Sequence, residues 1–320
     1  MTRTVSRSAW VRIVITAAAL ALILRKVDVG ETMRALGRLR AGPVLIVLGL
    51  LALDRAVMVW RWVILLHATR QSITPGAAVR IHLVSSFIGN FLPAGVGADV
   101  ARVYSVRQQT ASGSGAAASV AVDRLFGLLS IGFVGLLGLL AAGPTASPQA
   151  RALIGGGAVA VGIGTAILLW TDRWMRAALP ARWHATAAGS RILRVADALS
   201  AYRGHRGALT AVGVLSVIVQ LLRILQAYVL GLGIGITVGF RYYLLFMPLS
   251  LIVLMMPISI SGFGIPQAVI TALLQPRGVP EADGFALSTL IVLSGIVANL
   301  PGALLYLTRG TGQTAQERNG

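Results

Sequence analysis

Apolar residues run almost unbroken through long stretches of this chain, and polar residues gather between them. Stretches near the roughly 20 residues that a membrane helix needs are Pro43–Leu66, Gly115–Ala142, Ala152–Trp170, Ala208–Leu230 and Ala286–Leu307. A shorter run, Ala9–Leu24, follows Arg3 and Arg7 and carries Arg12 near one end, where a long side chain can snorkel. Its layout is that of a signal peptide, and Ala19-Leu20-Ala21 formally fits a cleavage site. Apolar residues continue past it, however, and we expect a retained first membrane helix.

Two further segments, Ile81–Arg107 and Tyr243–Leu274, are apolar but interrupted at Ser86–Asp99 and Met256–Gln267 by Pro, Gly and polar residues. Unpaired backbone cannot face lipid, so a break at membrane depth must line protein or a water-filled cavity. The pattern predicts re-entrant hairpins. Two alternatives stay open: a kinked helix and loop for the first, and a full span plus a surface helix for the second. Val29, Met33, Leu36 and Leu39, and again Ile192, Val195, Leu199 and Tyr202, recur at helical spacing and predict two surface-lying helices.

Charge sets the orientation. The loop 171–207 holds Arg173, Arg176, Arg182, Arg191, Arg194, Arg203 and Arg206 against Asp172 and Asp197, which by the positive-inside rule makes it cytoplasmic. Residues 143–150 carry no charge and Pro276–Gly284 carries one arginine against two acids, as suits the outside. Arg25–Gly42, with five basic and two acidic residues, runs against the rule if the amino terminus is inside. So oriented, the chain shows two units of opposite topology, a pseudo-repeat over about 43–142 and another over about 208–308, each a span, a broken hairpin and a span. Broken helices at matching positions of inverted repeats point to a transporter's substrate site.

Composition agrees with this reading. Of 320 residues 56% are hydrophobic and 12% charged, about half the charged share of a soluble domain. That excludes a soluble globular enzyme and a disordered chain. The formal net charge is +18, yet the arginines flank apolar runs and do not form the basic segments of a nucleic-acid binder. With no cysteine, disulfides and thiolate chemistry are excluded. No zinc motif, dinucleotide fingerprint or nucleotide-binding loop occurs, so no cofactor, metal or catalytic residue is expected.

Charges inside apolar runs are the first candidates: Asp54, Arg55, Arg61, Asp123, Arg124 and Arg223. Each costs about 2.5–3.5 kcal/mol near the bilayer centre and so should face a partner or a cavity. Asp54 and Arg61 share a helix face, whereas Asp54 and Arg55 diverge by about 100°. The bland reading is structural ion pairing, or snorkelling at the interface for Arg61 and for Asp123-Arg124. His67 and His82 read as interfacial. The breaks supply the second set. Gly95 and Gly97 allow close backbone approach, and Asp99 suits the first turn of a short helix, as its cap or paired with Arg102. Ser261 and Gly264 precede Pro266, which fits the start of another. Amides at such helix starts favour an anion such as phosphate.

Arg61-Trp62 with Leu65-Leu66, then Asn90, Pro93, Gly95, Gly97, Asp99 and Arg102, then Asp123-Arg124 and Gly127, resemble the lysylphosphatidylglycerol synthase transmembrane, flippase-like family across roughly residues 10–308. The resemblance implies a lipid translocator in which Asn90, Pro93, Gly95, Gly97, Asp99, Arg102 and Arg124 line or shape the lipid path. At its second motif this chain has Ile265-Pro266-Gln267, without the family's acidic residue, which puts a proton-coupled step there in doubt. The chain ends at Gly320, so we expect no soluble aminoacyl-transferase domain and no synthesis of the aminoacylated lipid.

The expectation is therefore one all-α, polytopic membrane domain over residues 1–320, with six or seven spans and two broken hairpins, in a bacterial-type plasma membrane. Its expected cargo is an anionic or headgroup-modified phospholipid, or a polyprenyl-phosphate-linked sugar. Arg55 and Arg223, with Ser261 and Gly264, join the residues above as the phosphate-binding set. A membrane-embedded transferase and a membrane partner of a glycosyltransferase are the alternatives, and self-association is left open.

Overall fold

The computed structural model describes residues 30, 33–34, 37–69, 73–90, 97–109, 113–143, 148–169, 186–255 and 265–316. Among them every regular element is helical. The order is α1 Ala41–Ala68, α2 Pro75–Gly89, α3 Gly97–Arg107, α4 Gly113–Ala142, α5 Pro148–Leu169, α6 Ala187–Ala201, α7 Arg206–Ile234, α8 Phe240–Met255, α9 Ile265–Leu274 and α10 Glu281–Gln316. Single 3-10 turns follow α6 and α9. The expected first span Ala9–Leu24, together with Pro93, Gly95, Ser261 and Gly264, lies outside the described residues.

Among the described residues four helices are long and apolar enough to cross a membrane: α1, α4, α7 and residues Glu281–Tyr306 of α10. In α5 the apolar part, Ile154–Ala166, is shorter. The fold is an all-α membrane-helix fold. By contrast α2, α3, α8 and α9 have 15, 11, 16 and 10 residues. At 1.5 Å per residue the longest is about 24 Å, short of a hydrocarbon core of about 30 Å.

Local chemistry sets the helix ends. Thr74 caps α2, its hydroxyl accepting the Ala77 amide at 3.3 Å, with Pro75 following at the first helical position. Glu281 and Asp283 place negative charge in the first turn of α10. Past the end of α7, Gly235 has φ 96°, and the amides of Gly235 and Ile236 donate back to Leu232 and Gly231 at 3.1 and 2.9 Å. That pairing satisfies the Gly231 and Leu232 carbonyls in the last turn, and it needs glycine in the left-handed region.

The chain divides into two compact units. Unit 1 comprises residues 1–53, 83–99 and 222–320. There Tyr242, near the start of α8, donates to the Leu273 carbonyl near the end of α9, and Arg277 lies 4.3 Å over the Tyr242 ring. The two helices are thus an antiparallel hairpin, which decides against one continuous span for this segment. Arg38 pairs with Asp283, and Gly233 abuts Leu39 and Pro43, so the segment before α1, the end of α7 and the start of α10 come together. At the end of α2, Gly89 lies against Ala98 of α3.

Unit 2 comprises residues 54–82 and 100–221. One of its cores gathers Trp62, Val63 and Leu66 of α1, Ala78 and Ile81 of α2, Val106 of α3 and Ala116 of α4. With the start of α2 beside the end of α3 here, and Gly89 beside Ala98 at their junction, these helices form a hairpin too. A second core joins Leu65, Ala118, Val122, Leu199, Tyr202 and Val212. The apolar face of α6 is therefore covered by protein around Leu199 and Tyr202, a correction to the surface-lying helix expected there. Tyr202 donates to the Leu65 carbonyl at 3.1 Å, and burial pushes its phenol up to about 12, so it stays a donor at neutral pH.

Candidate functional site

An ion pair between three distant parts of the sequence is the centre of unit 2. Asp123 sits in the first half of α4, Arg61 in the second half of α1 and Arg102 in the middle of α3, all buried. Arg61 Nε donates to Asp123 Oδ1 at 2.7 Å, and Arg102 Nη1 donates to Oδ2 at 3.2 Å. Each carboxylate oxygen is thus held by a different guanidinium. Arg61 is fixed a second time, its Nη1 donating to Ser216 Oγ of α7 at 3.0 Å. These are charge-assisted bonds, about twice as strong as neutral ones.

Trp62, next to Arg61, shapes the same site. Its indole N–H donates to Ser119 Oγ at 3.3 Å, one turn before Asp123, and the Arg102 guanidinium lies 5.1 Å from its ring centroid. The ring also lies 6.2 Å from the fully buried imidazole of His82. Arg102, Arg55, Arg61 and Arg124 all lie within electrostatic reach of that imidazole. A little along the bundle, Asp54 is buried and Arg55 Nε lies 3.6 Å from its Oδ2. Gln220, one turn after Ser216, donates to the Gly127 carbonyl at 3.3 Å.

Several expectations change here. Arg61 and Asp123 are buried and pair with each other, so of the two bland readings it is structural ion pairing that holds for them. Arg102 engages Asp123 of α4, a partner the sequence did not suggest. His82 is buried and not interfacial, since the hairpin carries it inward beside Trp62. Arg55, expected to diverge from Asp54, bends back to it along the helix surface. His67 is exposed.

The remaining sequence candidates fall in unit 1. Asp99 lies in the first turn of α3 beside the buried Gly97, as its sequence position suggested. Asn90 accepts from Asn299 Nδ2 of α10 at 2.8 Å, which ties the residue just past α2 to a helix 209 positions away. Two turns earlier, Leu83 and Phe87 press on Gly302. Arg223 is half-buried on α7. Trp62, Ser119, Ser216 and His82 were missed as site residues; the Arg61-Trp62 dipeptide was the one hint in the sequence. No group of three metal-ligating side chains occurs among the described residues.

The family model described as "Lysylphosphatidylglycerol synthase TM region" matches residues 9–302. None of the curated proteins matches.

Proposed function

The chain belongs to the lysylphosphatidylglycerol synthase transmembrane family, and from that premise we propose that it moves a phosphate-bearing lipid between the leaflets of a bacterial-type plasma membrane. A membrane-lipid function fits the family. The cargo is an anionic or headgroup-modified phospholipid, or a polyprenyl-phosphate-linked sugar. Its headgroup passes along the arginine cluster while the tails stay in the bilayer.

The observation that carries this reading is the charge balance around the buried centre of unit 2. Asp123 is shared by Arg61 and Arg102, Asp54 is paired with Arg55, and all four of Arg55, Arg61, Arg102 and Arg124 lie within electrostatic reach of His82. Arg61 and Arg102 are buried with Asp54 and Asp123, while Arg55 and Arg124 are half-buried, so a phosphate that enters here meets guanidinium groups. Arginine suits the task because its fork holds phosphate oxygens in pairs and keeps its charge. The transferase alternative needs a carboxylate as base, and both oxygens of Asp123 are engaged by arginine.

The element lengths support an inverted repeat. In order, α1 to α4 have 28, 15, 11 and 30 residues, and α7 to α10 have 29, 16, 10 and 36. The segment leading into α1 lies beside the end of α7, and Leu65 of α1 shares a core with Val212 of α7, as antiparallel counterparts would. We place the loop around α6 and the amino terminus in the cytoplasm. An impermeant thiol reagent should then label Glu281→Cys in intact cells and spare Asp197→Cys, and the reverse would invert the assignment.

Transport itself is tested in liposomes with a fluorescent phosphatidylglycerol. Arg55→Gln and Arg223→Gln should each slow flipping roughly ten- to hundredfold, the worth of a charge-assisted hydrogen bond of about 1.5–3 kcal/mol. Normal rates in both variants would make these arginines structural and move the path elsewhere.

A further inference from the structure

We infer that residues 299–302 of α10 are a lever that moves the end of α2 during transport. The inference rests on the lipid-translocation reading, with Asn90 among the residues that shape the lipid path. The lever is built from residue types that a plain membrane helix has no use for. Asn299 brings a polar side chain, Pro301 removes a backbone donor and Gly302 has no side chain, all inside the span Glu281–Tyr306.

Fulcrum, hinge and latch follow one another along the helix. Gly302 is buried, and a Cβ built on it meets the Leu83 carbonyl and comes within 2.9 Å of the Phe87 Cβ. Backbone lies close on backbone there, a contact with no side chain to give way, and it serves as the fulcrum. Farther along α2, Asn90 accepts from Asn299 Nδ2 at 2.8 Å. A neutral hydrogen bond between membrane helices is weak and re-forms readily, so this contact is the latch. Pro301 is the hinge. It has no N–H to give the Val297 carbonyl four residues back, so the helix ladder lacks a rung and α10 bends most easily there. Asn299 lies within that weakened turn and Gly302 just past it. With Gly302 seated, a bend in the turn carries Asn299 away from Asn90, and straightening returns it.

A crossing that only packs two helices would need the glycine alone. Pro301 is exposed, so its ring fills no gap in the protein. Asn90 is also where α2 ends: its amide donates to the Phe87 carbonyl at 3.1 Å, three residues back and not four. Opening the latch therefore loosens the last turn of α2. Gly89, in that turn, lies against Ala98 of α3. The movement thus reaches the first turn of α3, where Gly97 and Asp99 flank Ala98.

The test uses the purified full chain in detergent and reads hydrogen exchange along α2 together with thermal unfolding. Pro301→Ala restores the missing donor and should leave the protein at least as stable as the wild type. With the hinge stiffened, the amides of residues 87–90 should exchange roughly tenfold more slowly. Asn299→Ala opens the latch, and the same amides should then exchange roughly tenfold faster. In liposomes Pro301→Ala should slow the flipping of a fluorescent phosphatidylglycerol by about the same factor as the exchange. Unchanged exchange at residues 87–90 in either variant, or lost stability in Pro301→Ala, would overturn the lever. Slower exchange with full flipping would overturn its part in transport. A wild type that flips no lipid, while both changes in exchange appear, would overturn translocation and leave the lever standing.

Discussion

Asp123→Asn is expected to lower the stability of the protein in neutral detergent by about 3–5 kcal/mol, the usual consequence of removing one partner from a buried ion pair. The substitution keeps the shape of the side chain and removes its charge. Arg61 and Arg102 are then left facing each other across a neutral amide with no carboxylate between them. The bonds from Arg61 to Ser216 and from Trp62 to Ser119 cannot compensate, because both acceptors are uncharged. Adding Arg102→Gln to Asp123→Asn leaves Arg61 as the one formal charge of the three and should recover much of the loss. Thermal unfolding of the three proteins measures this. A single variant as stable as the wild type would mean that another anion already neutralises the arginines.

Gly302→Leu should be the most damaging change outside that cluster, by about 1–3 kcal/mol or more from overpacking alone. A Cβ built on Gly302 collides with the Leu83 carbonyl and comes within 2.9 Å of the Phe87 Cβ. The obstacle is partly backbone, so no rotamer change relieves it, and α10 must move off α2. The Asn90–Asn299 bond, one turn away, would open with it. Small residues at close helix crossings serve this purpose in membranes, where backbone approach does the work that water does elsewhere. Gly302→Ala should already be harmful. Gly295→Ala on the same helix, with nothing within 4 Å of its Cβ, should be neutral or stabilising through helix propensity. Equal stability for Gly302→Ala and Gly295→Ala would contradict the close crossing.

How much was legible in the sequence depended on the range of the interaction concerned. The long apolar runs gave α1, α4, α7 and α10, because a helix that faces lipid must be apolar along its length and satisfies its own backbone. The Pro and Gly clusters marked where α2 gives way to α3 and α8 to α9, because those residues act on the local backbone. Asp99 and Pro266 fell in the first turns they were assigned, for the same local reason. The family, too, was readable from short motifs.

What only the tertiary structure decided is which side chains meet. Asp123 finds Arg61 across 62 positions and Arg102 across 21, and Asn90 finds Asn299 across 209. Periodicity can say that a charge lies in an apolar helix and must be compensated, but its partner depends on how helices pack, which no local pattern encodes. His82 shows the difference best. By sequence it is a histidine near a helix end, fit for an interface; the hairpin folds it into the interior beside Trp62 and within reach of four arginines. The sequence thus determined that buried charge must exist in this protein. The packing of a short hairpin against two long helices decided that it would be two arginines sharing one aspartate.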